Sequence, residues 1–152
     1  MEAAMFGIRV FSAPSVLGVQ HAVGELVVGE ARQMFSFDLR AWCVADYQRQ
    51  WRVGLARLLH GASSTALMTS FRGDEDGPHL MWAIWKEAGF AFVQPHCVLG
   101  AGLDRRFDPM APYEHVGARI PATEEALPIA EWRIELEQLF ASVMRIRWPM
   151  GQ

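Results

Sequence analysis

Five histidines and two cysteines are the side chains of this 152-residue chain best suited to ligate a metal or to act in catalysis. No two histidines have the spacing of a metal-binding pair on one helix, and the HExxH motif is absent. His79 and the pair His96-Cys97 fall on two strands predicted to be neighbours, so they could form a metal cluster or a Cys/His hydrolase site. The interpretation we favour is a strand-end histidine beside a small buried cysteine.

Cys43 is the second candidate nucleophile. It lies between Trp42 and Val44, and we expect burial in that apolar stretch to leave the thiol unreactive. The segment Gly100–Gly102 follows a predicted strand as a phosphate-binding loop does, but no convincing helix begins behind it. No set of residues supplies a nucleophile, a base and oxyanion donors together, so the sequence favours a protein that is not an enzyme.

Two charged segments are the candidate partner-binding sites. Asp74, Glu75 and Asp76 are adjacent carboxylates in a predicted turn, where they could bind a divalent cation or face a basic partner. Arg105 and Arg106 lie in a later loop and could contact acidic groups. Ordinary solvated loops have the same composition, and that alternative stays open.

The composition is that of a folded globular domain, with 51% hydrophobic and 20% charged residues. A length of 152 residues is enough for one core, and we expect a single domain over residues 1–152. A formal net charge of −3 disfavours direct nucleic-acid binding, whereas six tryptophans and nine phenylalanines are a mild indication of protein binding.

The expected location follows from targeting signals and cysteine usage. No stretch reaches the ~20 apolar residues that cross a bilayer. The first residues lack the basic region of a secretory signal. Cys43 and Cys97 are too few and too far apart for a disulfide framework. We therefore expect a cytoplasmic protein that makes no membrane contact.

The elements of the first half are predicted from hydrophobic periodicity. Three strands are predicted at residues 5–11, 25–28 and 32–38. Gly29-Glu30 joins the last two as a hairpin turn. A helix is predicted over residues 46–60, because apolar residues recur along one face at Tyr47, Trp51, Leu55, Leu58 and Leu59. Asp46 is placed to cap its start, and Gly61 is placed to end it.

The second half is predicted to continue as a meander. Strands are expected at residues 65–71, 79–87 and 90–98. The middle one is apolar on both faces and should be central, whereas Pro95 indicates that the last is an edge or is irregular near its end. Residues 100–126 should be irregular, and residues 129–144 helical, with WRIEL as a possible short strand before the helix. The prediction is an α+β fold, a largely antiparallel sheet of about six strands packed with a central and a C-terminal helix.

A family resemblance rests on landmarks in the main helix and beyond it. The helix landmarks are Tyr47, Gln50, Trp51, Leu55 and Leu58, within WCVADYQRQWRVGLARLL. They are followed by TALMTSF and by the tryptophan-bearing HLMWAIWKEAGFAFVQ. The later landmarks are Phe107, Tyr113, Arg119, Ile129, Glu131, Trp132 and Phe140. Over roughly residues 35–140 the sequence resembles bacterial immunity proteins of contact-dependent growth inhibition systems.

The resemblance implies a non-enzymatic function that needs no cofactor. Such proteins bind the toxic C-terminal domain of their own strain's effector and block it, commonly by covering the active site, and the toxins are often nucleases. An acidic, aromatic-rich domain without a catalytic constellation suits a basic toxin. Two alternatives remain at this point, a small hydrolase or metal-dependent enzyme using His79, His96 and Cys97, and a generic protein-binding adaptor.

Overall fold

A computed structural model describes residues 5–12, 20–74, 76–121 and 130–149. Within them the chain forms seven strands, two α-helices and two short 3₁₀ helices, and the 3₁₀ helices, at residues 100–102 and 112–115, both follow the sixth strand. The elements in chain order are β1 (Phe6–Ser12), β2 (His21–Val28), β3 (Ala31–Asp38), α1 (Val44–Leu59), β4 (Ser64–Ser70), β5 (Pro78–Glu87), β6 (Phe90–Leu99), β7 (Trp132–Glu135) and α2 (Leu136–Arg145).

The first three strands form their own antiparallel sheet in the order β1-β2-β3. The predicted turn joins β2 and β3, with Gly29 at a φ of +62° that a side chain would disfavour. The predicted alternation along β3 is confirmed, since Phe37 is fully buried while Met34 is exposed on the opposite face. The face that carries Phe37 therefore packs against the core. β3 is an edge strand of this sheet.

The remaining strands form a second antiparallel sheet in the order β4-β5-β6-β7. β5 lies between two strands, as its apolar faces predicted. Of the two alternatives given for the following strand, an edge position was wrong, because β6 pairs with both β5 and β7. β7 pairs only with Phe90 to Val93, so the missing N–H of Pro95 falls beyond the end of the neighbouring strand. The predicted antiparallel α+β fold is confirmed, with seven strands where about six were expected, and these strands are divided between two sheets.

Both ends of α1 are set by local hydrogen bonds. The helix begins at Val44, two residues before the predicted start, and Cys43 is its N-cap. Asp46 therefore acts from the third helical position, where its carboxylate accepts the Cys43 N–H at 3.0 Å. At the other end, Gly61 takes the predicted left-handed conformation at a φ of +99°. Hydrogen bonds from Gly61 N–H and Ala62 N–H to the last helical carbonyls complete the turn.

One face of α1 satisfies the outer edge of β4, which has no strand partner on that side in the described residues. The Gln50 amide donates to the Ala66 carbonyl at 2.9 Å and accepts the Met68 N–H at 2.7 Å. The Trp51 indole N–H donates to the Met68 carbonyl at 2.7 Å. Side chains thus supply the hydrogen bonds that an adjacent strand would make.

Tyr47 extends this contact to the first sheet. Its hydroxyl donates to the Asp38 carbonyl at 2.6 Å and accepts the Phe71 N–H at 2.9 Å. The ring is fully buried, and burial raises the pKa of the phenol to about 12. A single hydroxyl therefore joins the ends of β3 and β4 to the helix.

The last two elements correct the prediction of one long terminal helix. Residues Trp132 to Glu135 are a strand, as the alternative interpretation of WRIEL allowed, and the helix begins only at Leu136. The start of the predicted helix, at Ile129, lies outside the described residues. α2 also touches the first sheet, because the Phe6 N–H donates to the Ser142 hydroxyl at 3.0 Å.

Replacing Gln50 with leucine should destabilise the protein, because Ala66 O and Met68 N–H would lose their buried partner. An unsatisfied buried group costs about 1–3 kcal/mol, so we expect a loss of roughly 2–4 kcal/mol in the free energy of unfolding, measured by urea denaturation. Arg52→Leu is the matched control on the exposed side of the same helix and should change this energy by only about 0.5 kcal/mol. Equal stability of the two variants would contradict the proposed role of Gln50.

Candidate partner-binding site

The two charged segments chosen from the sequence lie at the same end of the four-stranded sheet. The turn between β4 and β5 carries Asp74 and Asp76, and the loop after β6 carries Arg105 and Arg106. A hydrogen bond of 3.1 Å from Gly100 N–H to the Gly77 carbonyl joins the turn to the start of that loop. Glu75 lies outside the described residues.

The carboxylates of the turn are presented to solvent. Asp74 and Asp76 are both exposed, and the Asp76 N–H donates to Asp74 Oδ1 at 3.1 Å, which fixes the turn locally. Arg105 is also exposed, but it forms an ion pair of 2.7 Å with Glu114. The charge of Arg105 is therefore partly offset within its own loop.

The possible metal or hydrolase cluster is divided between the two faces of the sheet. His79 is buried on one face, where its imidazole stacks on the Phe107 ring with centroids 4.0 Å apart. Cys97 pairs with Leu80 on the opposite face and is exposed, so the expectation of a buried cysteine was wrong. Among the described residues, no three His, Cys, Asp or Glu side chains converge as metal ligands do.

Cys43 also differs from its expectation of burial. As the N-cap it precedes the helix, and its side chain is exposed, with the sulfur 3.2 Å from Asp46 Oδ2. The apolar neighbours Trp42 and Val44 are only partly buried, so the thiol between them is exposed although the stretch is apolar. The Gly100–Gly102 segment forms a single 3₁₀ turn.

Arg119 anchors the loop that follows the second 3₁₀ helix to the second sheet. Its guanidinium donates to both oxygens of Glu131, at 2.9 and 2.8 Å, and stacks 3.5 Å from the Phe92 ring centre. The hydrogen bond from Arg119 lowers the pKa of Glu131, and the same pair raises the pKa of Arg119. Arg57 similarly lies 3.6 Å from the ring centre of Tyr113. Three landmarks of the family resemblance, Tyr113, Arg119 and Glu131, therefore make contacts within the chain.

A second charge cluster surrounds Asp38 at the end of β3. Its carboxylate is buried and receives Arg40 at 2.6 Å, with His21 and Arg72 at 3.9 and 4.0 Å. The hydrogen bond from Arg40 is the main reason that the pKa of Asp38 is lowered. Arg72, two residues before the acidic turn, is thereby held near Asp38.

A groove that the sequence did not indicate opens beside the acidic turn. It has a volume of about 400 Å³ and lies between the edge strand β3 and the second sheet. Its lining includes Phe35, Leu80, Trp82, Pro95 and Cys97. β5 was expected to be covered on both faces, but Leu80 near its start is 42% exposed. The sequence did not predict the groove, because the strands that form it, β3, β5 and β6, include elements that are distant in sequence.

A cleft of about 450 Å³ lies elsewhere, between β1 and the chain after α2. Arg145, Arg147 and Trp148 contribute to its wall, together with Phe6 and Ile8 of β1. Its arginines make it suited to an acidic group, in contrast to the carboxylates at the other end.

An α+β domain that presents charge and apolar surface around one sheet end has the features of a protein-binding module. The family model described as the CdiI N-terminal domain matches residues 37–141, which is more than half of the chain. The chain therefore belongs to the CdiI N-terminal domain family. This confirms the family resemblance carried by residues 35–140.

The fold is shared with a solved structure. A chain of the "CdiA-CT/CdiI toxin and immunity complex from Enterobacter cloacae" superposes with a TM-score of 0.78 at 20% sequence identity. The match covers 92% of this chain and 97% of that one. No curated protein matches the sequence. Within the described residues, no helix combines the length and apolar character needed to span a membrane.

Replacing Glu131 with glutamine should lower thermal stability near neutral pH and have less effect in acid. The pKa of Glu131 is lower in the folded protein than its ordinary value of 4.5, so ionised Glu131 stabilises the fold above about pH 4.5. That contribution disappears as the pH falls through the folded pKa. We expect the difference in Tm between wild type and variant to shrink between about pH 5 and pH 3.

The matched control for this pH series is Glu137→Gln, which changes an exposed carboxylate on α2. It should show a small Tm difference at every pH, because exposed charges contribute little to stability. A Tm difference for Glu131→Gln that stays constant down to pH 3 would show that ionisation of Glu131 does not stabilise the loop.

Proposed function

We propose that this protein is an immunity protein that binds and neutralises the toxic C-terminal domain of a cognate contact-dependent growth inhibition effector. The observation that carries the proposal is membership of the CdiI N-terminal domain family. The fold shared with a chain of a toxin and immunity complex supports it. The protein acts inside the cell that makes it, by covering the active site of the toxin.

Neutralisation by binding requires a complementary surface and no catalytic group of its own. The side chains that could have served catalysis have structural contacts instead, such as His79 against Phe107 and Cys43 beside Asp46. We therefore propose a non-enzymatic mechanism in which affinity comes from the contact area and specificity from its charges.

The charge at the proposed contact fits a nuclease toxin. A nuclease binds phosphates and so presents basic groups around its active site. We expect the exposed carboxylates of Asp74 and Asp76 to face such groups, and we expect the same of Glu75, which stands between them in the sequence. In this arrangement Arg105 and Arg106 lie at the side of the contact, where they would meet acidic groups of the same toxin.

Co-expression with the toxin domain encoded beside this gene tests the function. Cells that make both proteins should grow, cells that make the toxin domain alone should not, and an inactivated toxin domain should co-purify with this chain. The toxin domain of the Enterobacter cloacae complex serves as the non-cognate control. Absence of both growth rescue and co-purification with the adjacent toxin would refute the proposal.

Neutralising the turn should slow association with the toxin domain. The triple variant Asp74→Asn, Glu75→Gln, Asp76→Asn should associate about 3- to 10-fold more slowly at low salt, because complementary charge accelerates encounter. The difference should shrink at high salt, where charges are screened. Stopped-flow or biosensor kinetics at two salt concentrations measure both effects.

A second triple variant controls for net charge alone. Glu30→Gln, Glu135→Gln and Glu137→Gln remove three exposed carboxylates that lie away from the turn. This control should associate at close to the wild-type rate. If the two triple variants are slowed equally, the turn has no specific role and only the overall charge matters.

A further inference from the structure

The groove beside the acidic turn continues into an exposed apolar strip. Pro78 pairs with Leu99 and Leu80 pairs with Cys97, so these four side chains share one face of the second sheet. All four are exposed, Leu80 by 42% and Leu99 by 61%. Apolar groups exposed side by side, next to a concave surface, are typical of a protein contact.

Trp82 places a hydrogen-bond donor beside this apolar groove. The side chain lines the groove, and the residue is 6% exposed. The rings of Phe35 and Trp132 pack edge-on against it, with centroids 6.0 and 5.7 Å away. Its buried indole N–H has no acceptor among the described residues. A buried donor without a partner is costly, so an occupant that brings an acceptor is favoured over a purely apolar one.

The surroundings of the groove define the charge of its occupant. Leu80 lies four residues after Asp76, a distance of at most about 14 Å along an extended chain. The apolar strip is therefore bordered at one end by the exposed carboxylates Asp74 and Asp76. An apolar centre with a polar rim is the usual arrangement of a protein interface, and here the rim selects a basic partner.

We propose that the groove receives an extended segment of the cognate toxin domain. An apolar side chain of that segment packs against Leu80 and Phe35, and a backbone carbonyl beside it accepts the Trp82 indole N–H, which is sealed from solvent in the free protein and is uncovered as the segment binds. Basic residues flanking the segment face Asp74 and Asp76. This inference rests on the proposed function and assigns the contact to a defined surface.

A second copy of this chain is a less suitable occupant. A symmetric contact through the groove would bring the two acidic turns toward each other, and like charges oppose that association. The toxin domain, with phosphate-binding basic groups, has the opposite charge.

The first test introduces a charge into the groove. Leu80→Lys should fold, because Leu80 is already 42% exposed, and should weaken binding to the inactivated toxin domain by at least about 10-fold. Met144→Lys is the matched control, since this α2 residue is 78% exposed and lies outside the groove. It should bind with the wild-type Kd in isothermal titration calorimetry.

The second test removes only the indole N–H. Benzothienylalanine at position 82, introduced by nonsense suppression, keeps the shape of tryptophan and replaces the N–H with sulfur. The Tm of the free protein should not fall, because the donor has no partner to lose. Binding to the toxin domain should weaken about 5- to 10-fold, the value of one hydrogen bond. A Tm decrease with unchanged Kd would overturn the assigned hydrogen bond.

The outcomes separate the groove from the function as a whole. If wild type binds the toxin domain and Leu80→Lys binds equally well, the groove is not the contact, while the proposed function stands. If wild type does not bind the adjacent toxin domain, the proposed function fails and the groove assignment fails with it. Concentration-dependent dimers that Leu80→Lys abolishes, seen by sedimentation in the absence of toxin, would identify a second copy as the occupant and overturn the proposal.

Discussion

The structure depends on the hydrogen bonds between one face of α1 and the outer edge of β4. Gln50 and Trp51 satisfy backbone groups of Ala66 and Met68, so the position of the helix along the strand is fixed by donors and acceptors as well as by apolar packing. Close approach also needs Gly54, where an added Cβ would lie 2.8 Å from the Ala66 carbonyl. Each sheet is then held against this one helix.

This arrangement separates the residues that make the fold from those available to a partner. The helix landmarks and Arg119 are occupied by β4, by β3 and by Glu131, so their side chains are committed inside the protein. Although Phe35 and Trp82 at the base of the groove pack with the core, Leu80 and the acidic turn are exposed, so Asp74 or Leu80 can be changed without removing a core contact. A family built this way can keep its core while the rim is adapted to a different toxin.

Local patterns in the sequence predicted the elements better than their assembly. The stripe through Trp51 and Leu55 and the glycine at position 61 were sufficient for the main helix, because periodicity and capping act within a few residues. The division into two sheets and the exposure of Cys97 depend on long-range pairing, which no local pattern encodes. The groove was missed for the same reason, although the charged segments were correctly placed on loops.

We propose that the toxin domain binds at the end of the second sheet where β5 begins and β6 ends, and amide hydrogen exchange of the free protein and the complex is the sharpest test of this contact. We expect exchange in the complex to slow at residues 72–82 and 96–106, and to be unchanged at the cleft beside Arg145 and Arg147. A stable complex whose protection falls at that cleft, with residues 72–82 and 96–106 unchanged, would contradict it.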